Sequence, residues 1–509
     1  MCRYRSVTYK RRIDYVNGHW QEWFSSSSKV PENVHFVDVQ CKDSNNKIVS
    51  NMLHYPTRQE LRKREVPHNN NFSSEQMNVL LLGLDSLSGN LFKRAMNKTR
   101  DYLLNTIGAV EMNMYNKVGD NTFPNLLAIT AGKYEHDIPN WSQAEGFDAV
   151  NFIWQDFKKA GFRTQYISDV PDFNDFSRPP TDCFNLPMVK SLMKDKIAFN
   201  NNCFEDKIEV NLWLSLIKEF ILESLHTTGR FFSLAMIKRP THDFPNQASA
   251  VDEHYFNFLK DMQESSLFNN TFFVFFGDHG PRKGAYRNTF EGSIEERAAA
   301  MLVMAPQWFQ KKHSRLYKNL LTNANRLTTN FDIHKTLKSL LSLDFEGLSE
   351  KSKVDLGFRT RSLFSEITRK RTCEDADLSP HYCMCNGGVP VPTWEIAPEI
   401  GNQVVQDINS ITSKYRDKCA VLKFRNVTSL TLHGGSIGWS GVYRIMFDTS
   451  PGLASFEATV RYTVSFFIFT SVQTLGDISR TSTYKNLSDC VEHDKIVRMY
   501  CYCKDLLTR

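Results

Sequence analysis

From Met77 onward the chain alternates between near-continuous apolar runs and amphipathic stretches. The runs are NVLLLGLDS, FRTQYISD, RFFSLAMI, TFFVFFGDHG and AAAMLVMAP, with segments such as FNFLKDMQESS between them. Apolar runs of this length, without polar alternation, suit strands buried on both faces, and the amphipathic stretches suit the helices that cover them. This pattern predicts an α/β core with a largely parallel central sheet flanked by helices, ending near residue 370 after FDIHKTLKSLLSL. Beyond Cys373 the runs CAVLKFRNVTSLTL, GVYRIMF and FEATVRYTVSFFIF read as strands with few helical patterns, predicting a smaller β-rich C-terminal domain. Ahead of the core, a small extension holds Cys2, Trp20, Trp23 and Cys41, and the polar stretch HNNNFSSEQ reads as a linker. The expected domains are therefore residues 1–76, 77–370 and 371–509, with no internal repeat and no low-complexity tract.

Composition fits this picture: 509 residues with 41% hydrophobic and 12% aromatic content can bury a large core in two or three domains. The net charge of +6 is small for the length and arises from local runs such as LRKREVPH, which excludes nucleic acid as a partner. Six Asn-x-Ser/Thr sequons, at Asn71, Asn97, Asn140, Asn269, Asn426 and Asn486, are candidate glycosylation sites, some of them expected to be buried; the 11 cysteines add to them in pointing to secretion or the lumen of the secretory pathway. MCRYRSVTYKRRIDY has no apolar core of a signal peptide, so a mature form or an incomplete gene model is expected. YTVSFFIFTSV is too short to span a bilayer, so no transmembrane segment is expected.

Seven cysteines, Cys373, Cys383, Cys385, Cys419, Cys490, Cys501 and Cys503, fall in the final part of the chain. The two Cys-x-Cys pairs match zinc-ligand spacing, but in this setting disulfides are favoured, stapling the β-rich domain to the end of the core and leaving one thiol of the odd set free or bonded to another chain.

Two of the strand-like runs end in acids: Asp85 follows VLLLGL, and Asp278-His279 follows FFVFFG. In an open α/β sheet, ligands bind beyond the carboxyl ends of the strands, so these acids can converge although distant in sequence. Between them lies DNTFPN, residues 120–125, whose Thr122 reads in two ways. Thr is a good N-cap, Pro124 suits a first helical turn, and NLLAITAG behind it is a short helix closed by Gly132. The same position sets a hydroxyl beside unpaired N–H groups and the positive end of a helix dipole, where a phosphate or sulfate group is held. Two carboxylates, an imidazole and a hydroxyl form a donor set for a divalent cation, preferably zinc or manganese, with calcium or magnesium also admitted. Such a cation lowers the pKa of the hydroxyl and makes Thr122 nucleophilic. Each residue alone has a plainer reading, since a strand-terminal Asp caps the next helix and an Asp-His pair makes a turn.

Taken in order, LLLGLDSLS, GDNTFPN, RPTHDFPN, FFGDHGPRKG, RNTFEGSIEERAAAMLVMAP and FDIHKTLKSLL resemble the alkaline phosphatase-like superfamily, which includes sulfatases, nucleotide phosphodiesterases and phosphoethanolamine and glycerol-phosphate transferases. The resemblance covers about residues 77–350. With TCEDADLSPHYCMC and YCYC, the chain is similar more closely to an animal branch without an assigned substrate, the domain of unknown function 229. It implies that Asp85, Asp278 and His279 bind metal, with Thr122 as nucleophile and fourth ligand. His242 is implied to protonate the leaving group, contact the substrate or bind a second metal. A sulfatase carries Cys or Ser, any residue, Pro, Ser, Arg at the nucleophile; here Thr122-Phe123-Pro124-Asn125-Leu126 keeps only the proline, which argues against formylglycine chemistry. The Asp-x-x-x-His and further His of two-metal members are not matched cleanly by Asp252, His254 or His334, so one metal is preferred. Arg282, Lys283 and Arg287 are candidates for holding an anion, and Glu295, Glu296 and Arg297 for structural ion pairs. The expected function is a metal-dependent hydrolase or transferase of phosphate esters, acting on a phosphorylated or sulfated small molecule, glycan or lipid head group. Sulfate-ester hydrolysis is the enzymatic alternative, and a binding protein that retains the fold is the non-catalytic one. Substrate identity, the choice between hydrolysis and transfer, and oligomeric state are not legible.

Overall fold

The computed structural model describes all residues except 11–13, 32–33, 35, 55–72, 74, 140–145, 171–172, 174–175, 195–202, 205–206, 344, 346–358, 386, 392–394, 436–439, 466–468, 485 and 508–509. The expected linker at residues 68–76 lies largely outside the described residues. The extension before it is a folded sheet: β1 (Cys2–Lys10), β2 (Asp14–Asn17), β3 (Phe36–Lys42) and β4 (Ile48–His54) pair antiparallel in the order β2-β1-β3-β4, and a Cys2–Cys41 disulfide joins β1 to β3.

The core sheet contains β5 (Asn78–Leu84), β6 (Val110–Glu111), β7 (Arg163–Ser168), β8 (Cys183–Phe184), β9 (Phe231–Ile237), β10 (Thr271–Phe276) and β11 (Met301–Met304), in the order β6-β11-β10-β5-β9-β7-β8. Strands β10, β5, β9, β7 and β8 run parallel, and β11 pairs antiparallel with both β10 and β6. Every residue of β5, β9 and β10 is buried, as continuous apolar runs covered on both faces require. Helices α1 (Thr122–Ala131) and α4 (Asn330–Ser342) cover one face, with α2 (Glu209–Thr227) and α3 (Ala248–Glu264) on the other, and an apolar cluster forms on each side. The expected α/β fold class and β-rich C-terminal part are both found.

The C-terminal sheet is antiparallel in sequential order, β12 (Val389–Pro390), β13 (Lys423–Gly435), β14 (Gly441–Ser450), β15 (Ser455–Ser465) and β16 (Phe469–Arg480). One helix was missed there, α5 (Ala397–Ile411), although Ile400, Val404, Val405 and Ile408 follow helical spacing; they pack on Tyr443, Ile445, Phe447 and Phe456. Alternate residues of the same strands, Arg444, Glu457 and Thr459, therefore face the other way, toward the core domain.

That second face explains how the two parts are joined, and it corrects the expected disulfide staple. Four disulfides form, but beyond the N-terminal one they lie within the C-terminal part: Cys373–Cys383, Cys419–Cys501 and Cys490–Cys503. Three thiols rather than one are left, at Cys183, Cys203 and Cys385. The link is non-covalent. Glu457, fully buried, takes Arg287 at 2.7 Å and also Arg297, with Arg444 at 3.6 Å. Asn116 holds the backbone of Tyr382 and Met384 at 2.8 Å each. Burial alone pushes the Glu457 carboxyl up, but Arg287, Arg297 and Arg444 outweigh it and hold it well below the usual range. Glu457→Gln should destabilise the protein by about 3–5 kcal/mol, because it removes the buried negative charge that Arg287, Arg297 and Arg444 share. Chemical denaturation checks this, and a change under about 1 kcal/mol would show that the network does not hold the two parts together.

The sequon asparagines that can be placed, Asn97, Asn269, Asn426 and Asn486, are all exposed, against the expectation that some are buried; Asn71 and Asn140 lie outside the described residues. Among the described residues no helix is long and apolar enough to cross a membrane.

Candidate active site and metal centre

In the parallel register Leu84 lies beside Ile237, and Gly83 beside Phe276, so the chain leaves β5, β9 and β10 at one edge as Asp85, Lys238 and Gly277-Asp278. Tight backbone packing fixes the third exit. A Cβ on Gly277 would lie 2.0 Å from the Leu87 carbonyl, and one on Gly280 2.3 Å from that of Glu295, so both glycines flanking Asp278-His279 are required. Ser86 adopts a left-handed φ of 56°, a strained backbone that lets its N–H donate to Asp278 Oδ1 at 3.0 Å and its hydroxyl to Asp85 Oδ1 at 2.6 Å.

Asp85, Asp278 and His279 are fully buried, with one ligand atom from each lying within 4.8 Å of the others. The His279 Nδ1–H donates to the Gly280 carbonyl at 2.9 Å, an assignment that leaves Nε2 as a bare lone pair. Nε2 stands 3.2 Å from Asp278 Oδ2, yet neither atom has a hydrogen-bond partner among the described residues, since two acceptors cannot bond each other. That spacing is close to the edge of a tetrahedron of ligands about 2.0–2.1 Å from one cation. Burial first, then the nearby Asp278, pushes the Asp85 carboxyl up, and burial does the same to Asp278. Burial, with Arg282 and Lys117 nearby, pushes His279 down to about 4, so it is neutral and able to ligate at pH 7. Two buried acids and an unpaired imidazole lone pair fit a divalent cation.

Thr122 opens α1, and its two sequence readings separate here. The N-cap is Asn121, and neither residue makes a side-chain capping bond; the Thr122 hydroxyl donates to Asp85 Oδ2 at 3.3 Å and is close enough to Asp278 to lower its carboxyl. Asn125 holds the approach to it: its side chain accepts from the N–H groups of Val118 and Gly119 at 2.8 and 3.2 Å and donates to the carbonyls of Gly119 and Asn121.

His242 sits on the rim, 47% exposed, with Nδ1 3.0 Å from Asp243 Oδ1 and near enough to Asp85 to act on its charge. Arg282 pairs with Asp120 at 2.7 Å and lies near His279. Lys283 reaches the Tyr484 ring at 5.7 Å. Arg287 is buried on Glu457 and Glu296, so its charge holds the two parts together and is not offered to an anion, contrary to expectation. Glu295, Glu296 and Arg297 form the structural pairs expected of them, with Arg94, Lys117 and Glu457. Asp252 caps the backbone at Lys98 and Thr99, and His334 bonds the Ile129 carbonyl, so neither joins the centre. Among the described residues, the other groupings with metal-ligand geometry consist of cysteines.

Sequence reasoning missed the support of the site. Lys117, which is buried, and the partly exposed Arg282 both pair with Asp120, and Ser479 of β16 donates to Asp120 Oδ1 at 2.6 Å. Burial tends to raise the Asp120 carboxyl, but Arg282, Lys117 and the Ser479 hydroxyl hold it well below its usual range. Ser479 carried no local signal.

No curated protein sequence matches the chain. Among solved structures it is similar to the C-terminal periplasmic domain of EcEptC from Escherichia coli, at 13% identity over 59% of this chain and 90% of that one, with a TM-score of 0.41. It is also similar to the lipoteichoic acid synthase LtaP from Listeria monocytogenes, at 13% identity over 58% and 75%, TM-score 0.38. A third likeness is to an alkaline phosphatase superfamily protein from Vibrio parahaemolyticus, at 13% identity over 80% and 83%, TM-score 0.39. The model of a family described as a protein of unknown function, DUF229, matches residues 1–428, and the chain belongs to that family.

Proposed function

We propose that the protein is a metal-dependent hydrolase or transferase of phosphate esters, working in an extracellular or lumenal compartment, with Thr122 as nucleophile. The carrying observation is the convergence of four residues from three separate segments, Asp85, Thr122, Asp278 and His279, with two acceptor atoms left facing each other. The four disulfides support the compartment.

Asp85, Asp278 and His279 would hold the cation, with the Thr122 oxygen as fourth donor; when bound, it would polarise a phosphoryl oxygen and make a neighbouring hydroxyl more acidic. The Thr122 hydroxyl donates to Asp85 Oδ2 and passes its proton there on attack. Oγ1 then bonds phosphorus as the ester oxygen departs, and His242 at the rim protonates that leaving oxygen. Arg282, oriented by Asp120, faces the developing charge. A water or an acceptor hydroxyl, giving its proton to His242, then takes the phosphoryl group from threonine, whose oxygen regains its proton from Asp85.

The test is turnover of bis-nitrophenyl phosphate by purified protein with zinc or manganese, beside an aryl sulfate; sulfate turnover alone would overturn the reading. In the same assay Arg282→Ala should lower kcat/KM by roughly 10- to 100-fold, with partial rescue by Arg282→Lys, as loss of a charge-assisted contact implies.

A further inference from the structure

The N-terminal sheet carries Trp20-Gln21-Glu22-Trp23, away from the site above. Residues 18–24 run beside β1 with bonds from Gly18, Gln21 and Phe24 to the carbonyls of Ser6, Tyr4 and Cys2 at 2.7–2.8 Å. The segment thus advances three residues for every two of the strand. That mismatch sets Trp20 and Trp23, three apart, on one face against Arg3 and Arg5, two apart. The Arg3 guanidinium lies 4.6 Å from the Trp20 ring and 4.7 Å from that of Trp23. Arg5 covers Trp20 at 4.6 Å, and Lys42 covers Trp23 at 4.4 Å. The result is a ladder, Arg5, Trp20, Arg3, Trp23, Lys42, in which each indole has two cations within reach of its ring. Both tryptophans remain partly exposed to solvent. The Cys2–Cys41 disulfide fixes the same strands and suits the oxidising compartment in which chains are glycosylated.

Trp-x-x-Trp is the acceptor sequence for C-mannosylation. From this sequence, the partly exposed ring and the compartment, we propose that Trp20 is a C-mannosylation site. The step bonds C1 of mannose to C2 of the Trp20 indole, breaks the bond from C1 to the phosphate oxygen of a lipid-phosphate-linked mannosyl donor, and releases the C2 proton and the lipid phosphate. C2 lies in the plane of the indole, so attachment there leaves the ring faces to the cations.

The full chain is secreted from a mammalian line and from the same line lacking its tryptophan C-mannosyltransferase, and the tryptic peptide of residues 13–29 is mapped by fragmentation. That peptide contains both tryptophans and no sequon. The expected result is one hexose on Trp20 that survives release of N- and O-glycans, is absent from the deleted line, and is lost in Trp23→Ala, whether the peptide comes from secreted or cell-retained protein. The proposal is overturned by unmodified Trp20 when a co-expressed Trp-x-x-Trp control is modified, by hexose confined to the serines at 25–28, or by hexose that persists in the deleted line.

Discussion

Thr122→Ala should lower kcat on a phosphodiester by a factor on the order of 10⁴ while leaving the metal bound and the fold intact. The hydroxyl makes one long hydrogen bond, 3.3 Å to Asp85, and caps nothing, so little stability rests on it. Asn121 is the N-cap, and Asn125 goes on stitching residues 118–121 in the variant. A threonine that served only as a helix cap would give the opposite pattern, with a loss of about 1 kcal/mol in stability and unchanged turnover. Thermal melting, metal content and steady-state kinetics on one preparation separate the two.

The second large effect is a split between function and stability at Asp278. Asp278→Asn should weaken metal binding by more than about 100-fold and abolish turnover, yet make the chelated protein more stable than chelated wild type by about 1–3 kcal/mol. Oδ1 still accepts from Ser86 and His279, while an amide in place of Oδ2 gives His279 Nε2, 3.2 Å away, the donor it lacks. The pH dependence follows from the directions of the shifts. Asp85 and Asp278 have folded pKa values above the ordinary carboxylate range, so their contribution is fully present below that range and is lost as pH rises through the folded values. His279 acts oppositely: its folded value of about 4 lies below the ordinary 6.5, so its contribution is lost as pH falls between the two. Above pH 6.5 only the carboxylate penalty remains, and there chelated wild type should melt furthest below both its metal-loaded form and chelated Asp278→Asn. A chelated variant that melts below chelated wild type would show that Oδ2 has a partner the geometry does not reveal.

The parallel core was legible because strands buried on both faces must be apolar along their whole length, and β5, β9 and β10 are. The converging acids were legible for a related reason: Asp85 and Asp278 are the first charges after those runs, and a polar group at that point lies at the sheet edge. Other features depend on contacts that no local pattern encodes. Helix α5 was lost among β-rich neighbours although its apolar spacing was present. Arg287 stood in a loop after Asp278-His279 like Arg282, and only the approach of Glu457, 170 residues on, makes it structural. Ser479 reaches Asp120 across 359 residues through packing of the C-terminal sheet against the core. Cysteine pairing was unreadable because spacing does not specify partners: Cys383 pairs with Cys373, and its near neighbour Cys385 is left as a thiol.

The central claim is most directly tested by acid-quenching the zinc-loaded protein during turnover of a nitrophenyl phosphate ester and mapping phosphate on the tryptic peptide of residues 118–133. The account predicts phosphate on Thr122, absent from chelated protein and from Thr122→Ala. Turnover with a burst of nitrophenol, but with phosphate on another residue or on none, would contradict it.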